Sequence, residues 1–467
     1  MMKYNISFKR NVILTAAIAM MGFFTACDDS IDVTSVDENQ YTTSSDAIAY
    51  LVNNAGNRGT AMVEFRNQGQ AEMYLASSKN AESDVVANLK FDEEVLHAYN
   101  DENSTEYELF PKELVSFNSD FQLKKGSNKS GKALVQFATS DALSAQKTYV
   151  IPVRVEVKSG SIKLSEKESV YLIFVKDLST IPTVDKASGI KIISCMEVND
   201  TNPLNNLCFT LKESGKPLID IVILFSANIN YNNETGKVYV YNNPNVQHIL
   251  DNREKYLKPL QDRGMKIVLG ILGNHDRAGV SNLADETARV FAQELKVVCD
   301  SYHLDGIFVD DEYSAYQNPA PVGFVSPSSA AASRLCFEVK QAMPDRLVCA
   351  YAYGSTSSLP DIDGQQSGTF VDYGIHDYGG SSDLSSNYPG MPKSGMALYS
   401  QEFNRGYWTA DSNLENMRND GYGSHMIFAM DPFRDNFDRQ KQAMESIADK
   451  LFDDELVYDE KPFKKDW

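Results

Sequence analysis

The sequence of 467 residues is poor in cysteine and in basic residues, and each shortage excludes a class of protein. Six cysteines at irregular spacing exclude the disulfide framework of a small secreted domain. The chain carries 44 lysines and arginines against 64 aspartates and glutamates, a net charge of −20. Because nucleic acid is bound by neutralising its phosphates, an acidic chain without a basic cluster argues against a nucleic-acid partner.

Histidine is also scarce, and this bears on metal binding. The six histidines are scattered, and no H-x-x-H or C-x-x-C pair has the spacing of metal ligands. We therefore expect no metal site and no cofactor. Four cysteines lie inside apolar segments, which predicts buried small side chains: Cys195, Cys299, Cys336 and Cys349.

Residues 1–27 have the pattern of a targeting segment. Three basic residues precede an apolar run at 12–26, which is too short to span a bilayer. The run ends in Phe-Thr-Ala-Cys, small residues before a cysteine, which resembles the lipobox of bacterial lipoproteins. That resemblance implies a lipid on Cys27 and a location at the cell surface or outer membrane of a Gram-negative bacterium. The alternative is an ordinary secretory signal in which Cys27 is incidental.

Residues 28–177 have the texture of short strands. The clearest is 148–157, where apolar and polar positions alternate at period two. The pattern predicts an antiparallel all-β sandwich. The stretches FDEEVLHAYN and KTYVIPVRVEV resemble the N-terminal β-sandwich module of Bacteroidetes-type surface lipoproteins. Residues 178–188, which are rich in small polar residues around a proline, are the predicted linker. Further strands are predicted at 62–65, 73–76, 133–138 and 170–175.

Residues 189–467 alternate between apolar runs and helical patterns. Eight apolar runs with intervening helices predict a (β/α)8 barrel, since a doubly wound sheet would carry a G-x-G-x-x-G turn that is absent. Helical spacing is clearest at 288–302 and 444–451. The predicted barrel strands are 190–196, 218–225, 265–272, 306–309, 347–351, 370–375, 395–399 and 425–430.

The fourth barrel run ends in LDGIFVDDEY, residues 304–313, where three acids follow an apolar strand. Because side chains alternate along a strand, Asp310 and Glu312 share one face with Phe308. Residues two apart on a strand have Cα atoms about 6–7 Å apart, so two such carboxylates at the barrel rim are expected to repel each other and raise one of the two pKa values. A carboxyl group kept protonated is what a general acid needs. The alternative is a solvated acidic turn.

The motif resembles the D-x-x-D-x-D-x-E signature of glycoside hydrolase family 18, and most closely its Endo H-type endo-β-N-acetylglucosaminidases. The resemblance covers residues 190–452 and includes several stretches in order along the chain. These stretches are FSANINY (225–231), NPNVQHILDN (243–252), KPLQDRGMKIVLGILGNHDRAG (258–279) and DYGIHDYGG (372–380).

The resemblance implies residue roles. Glu312 matches the general acid/base, and Asp310 matches the residue that orients the substrate acetamido group. Tyr351 and Tyr378 match family tyrosines, although Tyr351 could equally be core. The remaining implied substrate-binding residues are Asn228, Asn230, Asn274 and His275, of which Asn230 and His275 could equally be loop caps.

Phe308 departs from the family pattern, because a second aspartate usually stands there. Without that partner, we expect Asp310 to ionise more readily than in relatives, with an ordinary aspartate value for the acid limb of the pH profile.

The implied reaction is hydrolysis of the β-1,4 bond between the two core GlcNAc residues of N-glycans, with retention and an oxazolinium intermediate formed by the substrate acetamido group. Two alternatives stay open, a chitinase-like glycosidase and a non-catalytic surface glycan-binding lipoprotein. The expected partners are N-glycans or glycoproteins, the outer membrane through a lipid anchor, and other surface glycan-uptake proteins.

Overall fold

The computed structural model describes residues 47–467 except 104, 119 and 146. The targeting segment predicted at 1–27, with Cys27, therefore lies outside the described residues. The described chain forms a two-sheet sandwich followed by a closed barrel.

The first eleven strands build the sandwich. They are β1 (Ile48–Asn53), β2 (Thr60–Phe65), β3 (Gln68–Ser77), β4 (Val85–Phe91), β5 (Glu108–Leu109), β6 (Val115–Phe117), β7 (Phe121–Leu123), β8 (Ala133–Ala138), β9 (Tyr149–Ser159), β10 (Lys163–Leu164) and β11 (Val170–Asp177). The later strands are β12 (Lys191–Glu197), β13 (Phe209–Leu211), β14 (Ile221–Asn232), β15 (Lys237–Tyr241), β16 (Lys266–Leu272), β17 (Gly306–Val309), β18 (Leu347–Ala352), β19 (Tyr373–His376), β20 (Met396–Glu402), β21 (Ser424–Phe428) and β22 (Leu456–Tyr458). The α-helices are α1 (Glu93–Asn103), α2 (Pro244–Asp251), α3 (Arg253–Tyr256), α4 (Lys258–Gln261), α5 (Asp285–Tyr302), α6 (Ser329–Ala342), α7 (Asp411–Asn419) and α8 (Phe437–Phe452).

The sandwich packs a five-stranded sheet, in the order β10-β1-β3-β8-β6, on a six-stranded sheet that contains β2-β11-β9-β4-β7 with β5 beside β9. The predicted all-β sandwich is confirmed, but its strands are not all antiparallel. The pairs β1–β10, β2–β11 and β5–β9 are parallel. Parallel neighbours need long crossovers rather than hairpins. Here the paired strands are far apart in sequence, so local alternation could not reveal their direction.

Helix α1 lies within the sandwich, in the stretch FDEEVLHAYN that the strand pattern left unassigned. It begins with the acids Glu93 and Glu94, which favour a helix N-terminus. Val95 and Leu96 are buried, and they pack with Leu172 of β11 in a small cluster on the outer face of the sheet. The helix therefore covers apolar side chains that the sheet would otherwise expose.

The barrel is closed by eight parallel strands in the order β12, β14, β16, β17, β18, β19, β20 and β21, with β12 also paired to β14. Five of these strands are followed by α-helices. Within 189–467, where every residue is described, no α-helix follows β12, β18 or β19: a 3-10 helix and the short strand β13 follow β12, and 3-10 helices and loops follow β18 and β19. The regular strand–helix alternation of the prediction is therefore incomplete, while the closed parallel sheet is as expected.

Helix α5 shows why the helical segments of the barrel form. It buries Ala288, Phe291, Leu295 and Cys299, which recur at intervals of three and four and so share one face. That face packs on the outside of the barrel in the main core cluster.

The interior of the barrel is filled by side chains rather than open. Aromatic and aliphatic residues from the barrel strands form one buried cluster on the inner side of the sheet. An aqueous cavity can therefore exist only above this cluster, at an end of the barrel. The cluster comprises Ile193, Cys195, Ile221, Ile223, Val268, Phe308, Cys349, Tyr351, Ile375, Ala397 and Met426.

The sandwich contacts the barrel at the amino ends of its strands. Lys176 pairs with Asp305, just before β17, at 3.4 Å, and Glu64 pairs with Lys266 at the start of β16 at 2.5 Å. The Tyr107 hydroxyl donates to Asp345, just before β18, at 3.0 Å. The carboxyl ends of the strands are left free for a site.

The predicted linker, 178–188, is packed against both modules. The Arg66 guanidinium donates to the carbonyl oxygens of Leu178 and Ile181. Lys186 is buried and pairs with Asp220 at 2.6 Å, and both side chains are only 2% exposed. The segment is a fixed strap rather than a loose connection, because its lysine enters the barrel wall.

All five described cysteines are free and buried, as expected for the four in apolar segments. Among the helices of the described chain, none has the length and apolarity needed to cross a membrane.

Candidate active site

A cavity of about 520 Å³ opens at the carboxyl ends of the barrel strands. Its wall takes residues from all eight barrel strands or the loops that follow them. This end is opposite the contacts with the sandwich. Five of the predicted catalytic and substrate-binding residues line the cavity: Asn228, Asp310, Glu312, Tyr351 and Tyr378.

Asp310 lies at the bottom of the cavity and is 3% exposed. It follows β17 directly, and its backbone N–H donates to the Ile271 carbonyl oxygen at 3.1 Å. Burial above the apolar interior raises the pKa of Asp310 well above its usual range, and the charge of Glu312 raises it further. Its Oδ1 atom is buried without a hydrogen-bond partner. A buried acceptor without a partner is costly, so this atom is ready to receive a donor from a ligand.

Glu312 stands two residues further on, half-buried at the cavity wall. Burial raises its pKa, Arg405 opposes that rise, and Asp377 adds to it. The backbone of Glu312 is held by Gly273, whose N–H donates to the Glu312 carbonyl oxygen at 3.0 Å. A Cβ atom on Gly273 would lie 2.3 Å from that oxygen, so only glycine allows this approach.

Asp311 points to the opposite side, as strand alternation predicts. Its carboxylate accepts hydrogen bonds from Ser281 at 3.0 Å and from the Tyr316 hydroxyl. It also accepts from the Ser355 backbone N–H at 2.8 Å. Asp311 thus joins the loop that carries Glu312 to the loops after β16 and β18, which fixes the general-acid candidate in place.

Tyr351 and Tyr378 enclose a carboxylate that the sequence analysis did not single out. The Tyr351 hydroxyl donates to Oδ1 of Asp377, and the Tyr378 backbone N–H donates to the same oxygen at 2.7 Å. Tyr351 is 5% exposed, and its ring centroid lies 6.2 Å from that of Phe308. Tyr351 is therefore both part of the core and part of the cavity wall.

The structure divides the four predicted substrate-binding residues of the second and third barrel strands and their loops. Asn228 lines the cavity, and its amide donates to the Gly273 carbonyl oxygen at 3.1 Å. Asn230 and Asn274 bond to each other at 3.1 Å and lie outside the cavity wall, as does the exposed His275. Asn230 does not reach the cavity because it lies two residues beyond Asn228 on β14, past the barrel rim. Their substrate-binding role stays a prediction.

Sequence reasoning missed several polar wall residues. Glu197 and Glu402 end β12 and β20, Asp377 follows β19, and Arg405 lies in the loop after β20. Glu402 is 1% exposed and accepts the backbone N–H groups of Asn404 and Arg405, so it shapes this loop. The available signal was a polar residue at the carboxyl end of a predicted barrel strand.

The surroundings of Phe308 explain why the pKa of Asp310 differs from the expected value. It is 2% exposed, and its ring packs near Phe225 at 6.3 Å between centroids. An apolar floor removes water from Asp310, and three carboxylates surround it: Glu312, Asp311 and Asp377. The pKa of Asp310 is therefore raised, so the expected ordinary aspartate value is wrong.

Comparison with known proteins places this geometry in a family. A family model described as an N-terminal domain matches residues 40–162. Endo-β-N-acetylglucosaminidase F1 of Elizabethkingia meningoseptica is 61% identical over 282 residues, which is 60% of this chain and 83% of that protein. The endo-β-N-acetylglucosaminidase of Flavobacterium sp. (strain SK1022) is 33% identical, over 52% of this chain and 75% of that protein.

Solved structures extend the likeness to both modules. EndoBT-3987 of Bacteroides thetaiotamicron, solved with a Man5GlcNAc product, superposes with a TM-score of 0.82 at 33% identity, covering 89% of this chain and 97% of that one. The same protein in complex with a Man9GlcNAc2Asn substrate gives a TM-score of 0.76 over the same shares. With this identity and coverage, the chain belongs to the endo-β-N-acetylglucosaminidases of glycoside hydrolase family 18.

Proposed function

We propose that this protein hydrolyses the β-1,4 bond between the two core GlcNAc residues of N-glycans and leaves one GlcNAc on asparagine. The observation that carries the proposal is the pair of carboxyl groups above the apolar floor, with Asp310 buried and its Oδ1 unpartnered. An acetamido N–H is a donor of the kind this atom lacks.

Glu312 is the proposed general acid and base. Its raised pKa keeps the carboxyl group protonated at higher pH than a solvated glutamate, which favours proton delivery to the glycosidic oxygen. After the aglycone leaves, the resulting carboxylate takes a proton from the attacking water.

The proposed nucleophile is the acetamido carbonyl oxygen of the GlcNAc at the cleavage point. Its attack on C1 gives an oxazolinium ion, and Asp310 accepts the N–H whose positive charge grows in this step. The wall carboxylate Asp377 is less suited to attack, because its Oδ1 already accepts two hydrogen bonds. Retention of the anomeric configuration follows from two displacements at C1.

The test compares wild type with Glu312→Gln on glycoproteins that bear high-mannose, hybrid or complex N-glycans. Wild type is expected to leave a single GlcNAc on the peptide, measured by mass spectrometry. Glu312→Gln cannot deliver a proton and is expected to lose about 10²–10⁴-fold in rate while still binding glycan.

Glu286→Gln is the matched control, because that side chain is 75% exposed on α5, away from the cavity. If wild type cleaves only chito-oligosaccharides, the chitinase-like alternative replaces the proposal. If wild type cleaves nothing yet binds glycans as Glu312→Gln does, the glycan-binding alternative replaces it.

The location of the enzyme is part of the proposal. The lipobox-like sequence supports acylation of Cys27 and attachment to the outer membrane. Cys27→Ala is expected to leave the detergent phase of a phase-separation experiment and appear in the aqueous phase. Retention of that variant in the detergent phase would contradict a lipid on Cys27.

A further inference from the structure

The segment after β22 folds back over the loop that follows β12. Asn205 makes two hydrogen bonds to the Phe463 backbone, at 3.0 Å to the carbonyl oxygen and 2.7 Å from the N–H. The Asn202 amide donates to the Lys464 carbonyl oxygen at 3.0 Å. Because Asn202 and Asn205 are buried, these bonds fix the register of the segment.

The end of this segment is held on α2 and α3. The Trp467 ring stacks on His248 with centroids 5.7 Å apart and an angle of 12° between the planes. The Tyr256 hydroxyl donates to Asp466 at 2.7 Å. Lys465, between these anchors, is thereby placed beside the loop.

Lys465 and Trp467 set the orientation of one amide. The Lys465 ammonium donates to Oδ1 of Asn245 at 2.8 Å, and the Trp467 indole N–H donates to the same oxygen at 3.1 Å. Since an ammonium and an indole N–H only donate, this oxygen must face them. The Asn245 NH₂ group therefore faces Asn199, whose Oδ1 accepts it at 2.9 Å.

The side-chain amide of Asn199 is oriented in the same way, and it lies at the cavity. With its oxygen engaged, Asn199 turns its NH₂ group to Oε1 of Glu197, at 3.1 Å. Lys465 also donates to the Asn199 carbonyl oxygen at 2.9 Å. Glu197 and Asn199 both line the cavity. The Lys465 ammonium and the Trp467 indole N–H, which lie outside the cavity, therefore orient the Glu197 carboxylate.

We infer that Glu197 is a substrate-binding acceptor for sugar hydroxyl groups, and that Lys465 and Trp467 are positioning residues that hold it through Asn245 and Asn199. This role for Glu197 rests on the proposed function in one respect, which is that the ligand is a neutral oligosaccharide.

The first experiment measures KM and kcat of Lys465→Met on an N-linked glycopeptide. Loss of one oriented hydrogen bond raises KM by about two- to tenfold, with kcat and both limbs of the pH profile unchanged. Lys465→Arg keeps a cationic donor and restores most of the loss. Lys461→Met, whose side chain is 86% exposed, is the control and leaves KM unchanged.

The second experiment separates positioning from general destabilisation. In a Glu197→Ala background, which lacks the acceptor that Asn199 holds, Lys465→Met adds nothing further to KM, because both substitutions act through the same contact. Additive effects, an unchanged KM in Lys465→Met, or a fall in kcat alone would overturn the inference.

Failure of the proposed function is distinguishable from failure of this inference. If wild type cleaves no N-glycan, the same variants are compared by calorimetry with the intact glycopeptide as ligand. A Kd that is unaffected by Lys465→Met then overturns the inference, and a weakened Kd supports it.

Discussion

Glu312 lies between two groups that act on it with opposite sign. The carboxylate of Asp377 raises the pKa of Glu312, and the guanidinium of Arg405 lowers it. Both groups line the same cavity, on loops after different strands. The protonated fraction of the general acid is therefore set by two residues that can be changed separately.

This balance predicts opposite shifts of the alkaline limb of the pH–rate profile. Arg405→Met removes a cation, so the pKa of Glu312 rises and the limb moves to higher pH. Asp377→Asn removes an anion, so the pKa falls and the limb moves to lower pH. The measurement is kcat/KM on a glycopeptide as a function of pH.

Arg439→Met serves as the control for loss of one positive charge, since Arg439 packs over Trp408 and does not line the cavity. Its profile is expected to match wild type. Shifts of the same sign in Arg405→Met and Asp377→Asn would contradict the electrostatic account.

At this scale, the sequence predicted the residues that follow a strand pattern and missed those that depend on loop shape. Asp310 and Glu312 were predicted because strand alternation, continued past the end of β17, places them on the same side as Phe308. The burial of Asp310 was not predictable, since its surroundings also include the carboxylate of Asp377 and rings contributed by other barrel strands.

Among the elements, the strap at 178–188 is anchored by a buried ion pair that its composition does not predict. Its proline and small polar residues predict a linker but not its anchoring: Lys186 lies 2% exposed against Asp220. Lys186 also donates to the Leu218 carbonyl oxygen at 2.8 Å, and Asp220 accepts the Ile192 N–H at 2.8 Å. The pair links the strap to the first two barrel strands.

Lys186→Met is expected to lower the free energy of unfolding by about 3–5 kcal/mol, because buried Asp220 loses its nearest counter-charge and keeps only Lys191, at 3.8 Å. Urea denaturation measures the effect. The double variant Lys186→Met/Asp220→Asn is expected to be more stable than Lys186→Met alone, since no unpaired charge remains.

An exposed ion pair serves as the comparison for the buried Lys186–Asp220 pair. Lys212 pairs with Glu455 at 2.6 Å, but the two side chains are 52% and 72% exposed. Lys212→Met is expected to change stability by no more than about 1 kcal/mol. An equal loss in Lys186→Met and Lys212→Met would contradict the role of burial.

The barrel elements were predictable where they are buried and periodic. All eight parallel strands were placed by their apolar runs, and α5 and α8 by their spacing. The segments after β18 and β19 contain glycine, serine and proline without helical periodicity, and they form no α-helix. Their polar residues nevertheless line the cavity.

For the whole molecule, the sequence predicted a sandwich before a barrel but not how the two meet. Tyr107 and Asp345 are 238 positions apart, and no local pattern connects them. The contacts place the sandwich against the amino ends of the barrel strands, so the cavity end is unobstructed by it.

The five buried thiols have a consequence for the chemistry that this protein tolerates. Burial raises the pKa of Cys208 to about 11 and that of Cys299 and Cys336 to about 12, and it raises the pKa of Cys195 and Cys349 as well. A thiol reacts with oxidants and alkylating agents as the thiolate, which these groups do not form near neutral pH. The five thiols of the described chain are therefore expected to resist oxidation and alkylation for as long as the barrel stays folded.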